Sequence, residues 1–288
     1  MLNLLVADGN DRDGRARHAD ATGATSAESY AEILAEIART RGTAPCACTL
    51  ISPADADAAL PEGTDLSDYA GLVVTGSTLK LADGSPEVTR QIDLMRAALA
   101  AGLAVFGSCW GLQVAAVATG GEAGPNPKGG EYGFARDLAP TQAGRDHPLL
   151  AGRPERFDAP AVHGDAVLRL PAHATLLASN ACSIQAVAIE HGPGVFWGTQ
   201  YHPETDLDVL GIMLRMSASE MIADGKAPDE AAVAALADDL ARLHADGAGH
   251  PDLLARHRLD GQITQDANRR REIGNFLAFL TAPRRAAA

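Results

Sequence analysis

A thiol in a glycine-flanked turn, Gly107-Ser108-Cys109-Trp110-Gly111, is the sharpest chemical feature of the chain. The apolar stretch 103–106 runs into it as a buried strand, and a helical stretch, 112–119, leaves it. A nucleophile elbow requires this strand–turn–helix context. The corner residue carries unfavourable backbone angles, and glycine on either side removes Cβ atoms that would clash. Cys109 then stands at the C-terminal edge of a sheet, above a helix N-terminus whose dipole and free amides favour a thiolate. The amide of Trp110 is placed to donate to an oxyanion. A base is offered downstream by Tyr201-His202-Pro203-Glu204, at the end of the strand-like stretch 195–200. On an extended segment, residues two apart point the same way. Glu204 can therefore orient His202 and stabilise its protonated form, the logic of a triad with cysteine in place of serine.

The elements that must position these groups alternate strand and helix. Residues 2–7 read as a short buried strand closed by Asp8-Gly9-Asn10-Asp11. Residues 8–27 read as a long polar loop carrying Asp8, Asp11, Arg12, Asp13, Arg15 and Arg17. At the C-terminal edge of a sheet it is either a lid or specificity element or a plain surface loop, with Ser26 and Tyr30 at its exit. Residues 28–41 carry Ile33, Leu34, Ile37 and Ala38 on a helical stripe ended by Gly42. Strands follow at 48–52, 70–75 and 103–106, with helices at 88–101 and 112–119. This alternation predicts an α/β fold: an open mixed, mostly parallel sheet with helices on both faces. The short runs 166–170, 175–179, 185–190 and 195–200 fit antiparallel additions to the same sheet. A helix is expected over 207–223, a break at 224–228, and helices over 229–246 and 266–281. The division is a domain over 1–224 and a helical C-terminal extension over 225–288. In the last helix Ile273, Phe276, Leu277 and Leu280 form one stripe, which should pack on the main domain or on a second copy of the chain. Arg269-Arg270-Arg271 reads as a solvated face.

Composition limits the partners. The chain has 288 residues, 46% hydrophobic and 21% charged, enough for a sizeable core. A net charge of −13 argues against nucleic acid or anionic membrane and for small molecules or other proteins. The four cysteines, Cys46, Cys48, Cys109 and Cys182, contain no CxxC pair, which speaks against a zinc knuckle or disulfide framework and for a reducing, cytoplasmic setting. Cys46 and Cys48 share a strand face but lack a third ligand nearby. The apolar run 2–7 is too short for a signal peptide, and no stretch is apolar enough to span a membrane. His244, His250 and His257 read as surface residues.

At the thiol turn and the histidine segment the chain resembles the class I glutamine amidotransferase superfamily. Members share a G-x-C-x-G elbow followed by glutamine and a distal H-P-E, here GSCWGLQ (107–113) and YHPE (201–204). The resemblance covers about residues 1–222 and is closest to stand-alone domains similar to the amidotransferase domain of GMP synthase. It implies a flavodoxin-like fold, a Cys109-His202-Glu204 triad, and Gly76, within Val74-Thr75-Gly76-Ser77, as a second oxyanion donor beside Trp110. It also implies substrate contacts at Gly111, Gln113, His163 and the Glu131-Tyr132-Gly133 segment, with no metal or organic cofactor. Gly164 stands where the family's H-S-D segment has serine.

Three functions follow. The first is cysteine-dependent hydrolysis of glutamine or a γ-glutamyl amide as the glutaminase component of an amidotransferase with a separate synthetase. The second is a free-standing γ-glutamyl amide hydrolase. The third is a non-catalytic ligand-binding module on the same fold. No acceptor domain is recognisable in the chain, so ammonia transfer needs a separate synthetase partner. Homo-oligomerisation stays open.

Overall fold

The first strand, β1 (Leu2–Ala7), is apolar on successive residues because helices cover both of its faces. Leu4 and Val6 enter one core and Leu5 and Ala7 the other, the alternation that a strand imposes. The computed structural model describes residues 1–282. In it β1 pairs in parallel with β2 (Cys46–Ile51) and β3 (Gly71–Val74). The parallel half continues through β4 (Ala104–Ser108) to β11 (Gly194–Thr199). Beyond β11 the partners are antiparallel: β10 (Ile184–His191), β9 (Ala174–Ser179), β6 (Glu131–Pro140) and β7 (Phe157–His163). The order is β2-β1-β3-β4-β11-β10-β9-β6-β7, a mixed sheet whose parallel half has helices on both faces.

One face is covered by α2 (Ser26–Arg41) and the last helix, α12 (Arg271–Thr281). The other is covered by α3 (Pro86–Ala100) and α4 (Trp110–Ala118). Ile273, Phe276 and Leu277 of α12 sit in the same core as Phe106 and Trp197, so the C-terminal stripe closes on its own chain. Burial on this scale contributes about 1.5–3 kcal/mol per large apolar side chain. A third core joins α6 (Leu207–Met216), α8 (Glu230–Asp246) and α9 (Pro251–His257) to the outer face of β6 and β7. Gly211 lets α6 and α8 touch: a Cβ there would lie 3.0 Å from the Ala237 carbonyl.

Several expectations need correction. Residues 8–27 are not a loop: they hold the helix α1 (Arg12–Thr22), capped by Asp11 accepting from Gly14 N and stopped by Gly23 at φ 88. Its only buried residue is Gly14, so no apolar stripe announces it. The helix after it starts at Ser26 through a Thr25–Glu28 capping box, two residues before the apolar stripe suggests. The strand near 166–170, β8 (Asp165–Arg169), leaves the main sheet and pairs with β5 (Glu122–Pro125). Strands β6 and β7 are additions that no sequence pattern announces, as is the short helix α5 (Gln142–Asp146) between them. The 207–223 helix breaks at Ser217 into α6 and α7 (Ala218–Ala223). Two short helices precede α12, α10 (Gly261–Thr264) and α11 (Asp266–Arg269). Arg269 is not solvated: it is buried, donating to the Ile263 carbonyl and to Asp266. His257 is half-buried against Asp239 at 2.8 Å rather than free on the surface. No helix among the described residues is long and apolar enough to cross a membrane.

Candidate active site

Strands β1, β3, β4 and β11 end on the same edge, and the segments that leave them build one site. In open α/β sheets ligands sit at this carboxyl edge. Ser108 ends β4, and Cys109 turns the chain into α4 with φ 50 and ψ −99, an unfavourable conformation for a side-chain-bearing residue. The turn is closed by glycines. A Cβ on Gly107 would lie 2.9 Å from Gly111 Cα, and one on Gly111 would lie 2.7 Å from the Val74 carbonyl. Trp110 is the first residue of α4, so its amide has no acceptor inside the helix. Its indole turns into the core and donates to Gln91 at 2.7 Å.

His202 follows β11 and is buried, its amide tied to the Pro160 carbonyl of β7 at 2.8 Å. Its Nδ1 meets Glu204 Oε1 at 2.7 Å. Its Nε2 is buried without a well-aligned hydrogen bond among the described residues. Burial alone would lower the imidazole, but the Glu204 carboxylate and the neighbouring Cys109 hold it well above its ordinary value of 6.5. Burial would raise Glu204, but His202 and the hydrogen bonds it receives hold it below the ordinary 4.5. Gly76 lies against this ring: a Cβ there would stand 3.0 Å from His202 Cε1.

Two further groups fix Glu204. Tyr30 Oη, buried on α2, donates to Oε2 at 2.9 Å, and Ser108 Oγ donates to Oε1 at 3.0 Å. The two hydroxyl oxygens stand 2.7 Å apart. The sequence points only weakly to Tyr30 and not at all to Ser108, although a hydroxyl beside the thiol is in plain view. Helix α2 is itself pinned to the sheet edge, because Asp8 accepts from Ala27 N at 3.0 Å.

These groups open on one cavity of about 950 Å³. Of the residues singled out from sequence, Cys109, Gly76, Gln113, His163, His202 and Glu204 line it, together with Gly164 and Asp165. Trp110, Gly111, Glu131 and Gly133 do not. Gly111 is a packing position under Val74. Gly133 supplies a backbone bend in β6 at φ 90. Glu131 is buried behind the wall, where Asn180 (2.7 Å), Ser183 (3.0 Å) and Gln185 (2.5 Å) donate to it and His163 Nε2 faces it at 3.2 Å. Burial opposes its ionisation, but His163, Asn180 and Ser183 hold its carboxyl below the ordinary value.

Helix α1 supplies a wall through Gly14, Arg17 and His18. Burial pushes the His18 imidazole below 6.5 and His202 adds to this, while Asp8 and Glu204 pull the other way. Helices α6 and α7 supply Val209, Met213, Met216, Glu220 and Ala223. Cys46 and Cys48 lie away from the cavity on β2; burial raises both thiols, Cys48 to about 11. Among the described residues no group of three or more His, Cys, Asp or Glu is arranged to hold a metal.

A family model described as Glutamine amidotransferase class-I matches residues 26–214. A gamma-glutamyl-L-1-hydroxyisopropylamide hydrolase from Pseudomonas is 35% identical over 228 residues, 78% of this chain and 75% of that protein. A glutamine-hydrolyzing component of GMP synthase from Methanocaldococcus jannaschii is 31% identical over 125 residues, 43% of this chain and 63% of that protein. The crystal structure of a glutamine amido transferase from Methylobacillus flagellatus superposes with a TM-score of 0.64 at 16% identity, covering 100% of both chains, which is a likeness of fold.

Proposed function

The chain belongs to the class-I glutamine amidotransferase family, and from that membership we propose that it is a free-standing hydrolase of γ-glutamyl amides bearing a substituted nitrogen. The Cys109 thiolate attacks the side-chain amide carbon. The amides of Gly76 and Trp110 take up the oxyanion. His202, oriented by Glu204, gives its Nε2 proton to the departing nitrogen, and the C–N bond breaks to leave a γ-glutamyl thioester on Cys109. His202 then takes a proton from water, whose oxygen attacks the thioester; glutamate leaves and the thiolate returns. Every group in this sequence lies within residues 1–224, which we take as the catalytic body. Residues 225–288 then act as a helical extension that braces it and lends Arg270 to the cavity wall.

The observation that favours a substituted amide over glutamine is the reach of the cavity. Its volume of about 950 Å³ lies near the top of the roughly 300–1,000 Å³ typical of sites for drug-sized ligands. The cavity lining includes apolar surface from Ile33, Val209 and Met213 and the carboxylates of Glu32 and Asp206. That mixture suits a small alkylammonium. The name of the Pseudomonas relative supports the same substrate class.

Similarity to the GMP synthase component supports a second reading, a glutaminase that passes ammonia to a separate synthetase. Amine or ammonia release from glutamine and a panel of γ-glutamyl alkylamides, by the purified chain alone and by Cys109→Ala, separates the two. Turnover of alkylamides that Cys109→Ala abolishes is expected. Silence of the lone chain on every amide, with a glutamine-analogue electrophile still adding to Cys109, would move the assignment to the partner-dependent glutaminase. Silence with no adduct would leave the non-catalytic module.

A further inference from the structure

The proposed reaction leaves one buried side chain at the sulfur without a role. Gln200, just past β11, is fully buried, and its Nε2 donates to Cys109 Sγ at 3.5 Å. Its backbone is fixed by a bond from its own amide to the Gln185 carbonyl at 2.8 Å. Its orientation is fixed from the far end. Gln113 Nε2 donates to the Asp165 carbonyl at 3.1 Å and to Gln200 Oε1 at 3.4 Å. A backbone carbonyl only accepts, so the Gln113 end that meets it must be the NH₂ group. The second hydrogen of that group then requires the oxygen of Gln200, which turns the Gln200 NH₂ toward sulfur. The Asp165 carbonyl is held in turn by His163 Nδ1 at 3.0 Å. Cys109, Gln113 and His163 line the cavity, and Gln200 does not.

We infer that Gln200 is a positioning residue that holds the Cys109 sulfur as a thiolate from the side away from substrate, and that Gln113 and the Asp165 carbonyl exist to aim it. The inference rests on Cys109 being the nucleophile. An amide does not titrate in the working range, so Gln200 carries no proton in the reaction. It donates to a charged sulfur and leaves the cavity-facing side of that sulfur open for attack. A hydrogen bond to a charged group is stronger than one to a neutral group. It therefore favours the thiolate over the thiol in the resting enzyme and as the thiolate returns on thioester hydrolysis.

The test is the rate at which iodoacetamide alkylates Cys109 as a function of pH, read on the Cys109 peptide by mass spectrometry, in wild type and Gln200→Met. Methionine keeps the length and apolar volume and removes the donor. At neutral pH the rate is expected to fall about tenfold, the low end for a hydrogen bond to a charged acceptor. The alkaline plateau should persist and the midpoint should move to higher pH. Gln113→Met, which leaves the donor but frees its aim, should move the profile the same way by less. Should Gln200→Met not fold, Gln200→Leu removes the donor with a smaller uncharged side chain and should give the same displacement. A merely structural Gln200 would lower the melting temperature and leave the profile superimposed on wild type, which overturns the inference. Displaced profiles in a protein that hydrolyses no amide would retire the hydrolase assignment and keep Gln200 in this role. Hydrolysis with superimposed profiles would retire Gln200 alone.

Discussion

Replacing Glu272 with alanine should cost the fold about 3–5 kcal/mol, the typical loss when one partner of a buried ion pair is removed. Glu272 sits on α12 with its side chain fully buried, and Arg153 beside it is 1% exposed. Arg153 Nε and Nη2 each meet one carboxylate oxygen at 2.7 Å. Tyr201 Oη donates to Glu272 Oε1 at 2.9 Å, one residue before His202. Without the carboxylate, Arg153 keeps Gln262 and the Arg269 carbonyl but no counter-charge, and the Tyr201 hydroxyl loses this acceptor. At about 2–4 °C per kcal/mol for a chain near this size, the melting temperature should drop by about 6–20 °C. Urea unfolding followed by tryptophan fluorescence reads this directly, because Trp197 packs on Phe276 and Phe279 of α12 at ring-centroid distances of 6.2 and 4.4 Å. Combining Arg153→Met, Glu272→Met and Tyr201→Phe removes the ion pair together with the hydroxyl bound to it and should recover most of the loss, since apolar replacement of a whole buried pair is often neutral. A combined variant as unstable as Glu272→Ala, or a Glu272→Ala protein with an unchanged midpoint, would refute the reasoning. Activity per folded molecule should survive well below the melting point, because His202 takes its backbone anchor from Pro160 and not from α12.

Two other outcomes follow from the Glu204 cluster. Glu204→Gln removes the charge that raises His202, so steady-state assays should show kcat lower by roughly 10²–10⁴, the range for loss of general acid–base function. Tyr30→Phe removes one of several hydrogen bonds to the same carboxylate and should cost much less, about tenfold. The second outcome is a stability plateau against pH, measurable by calorimetry. Glu204 and Glu131 are held below 4.5 in the folded protein, so their contributions are present above 4.5 and lost as pH falls through the folded values. His202 is held above 6.5, so its contribution is complete below 6.5 and lost as pH rises through the folded value. All three overlap between 4.5 and 6.5, and Glu204→Gln should flatten both limbs.

The parts of the molecule legible in sequence are those where one local rule suffices. An uninterrupted apolar strand, two glycines around a thiol and a helical stripe locate β4, the turn and α4. His202 and Glu204 do meet, though not through an extended spacing: a turn closed by Thr205 N on the His202 carbonyl at 3.2 Å brings their side chains together. Helix α1 is not legible because it has no apolar face: Asp11 and Gly23 define its ends, and its stability comes from contacts no periodicity encodes. Strands β6 and β7 begin and end on Glu131 and His163, paired across the ladder, and most of their other inward positions hold Gly133, Ala135, Ala159 and Ala161, too small to mark a strand by their apolar character. Glu131 and His163 both look like substrate contacts in the sequence, yet Glu131 stands behind the wall, bonded to the 180–185 segment. Arg269 misleads for the same reason in reverse. Three successive arginines look solvated until a neighbouring carbonyl and carboxylate, brought in by α10 and α11, satisfy one of them inside the fold.

The segment between β1 and α2 serves two purposes that the fold keeps apart. Tyr30 must hold Glu204, so α2 has to stay fixed. Its first turn is secured twice, by Asp8 from the end of β1 and by the Thr25–Glu28 capping box. Helix α1 lies between those two anchors and contributes to neither. Its cavity-facing Arg17 and His18 can therefore change, while the position of Tyr30 and the geometry of the His202–Glu204 pair stay as they are. Substitutions at Arg17 or His18 should accordingly alter the relative kcat/KM among γ-glutamyl amides more than the melting temperature. A variant of His18 that lost turnover of every amide in equal proportion would show that α1 supports the His202–Glu204 pair rather than selecting the amine.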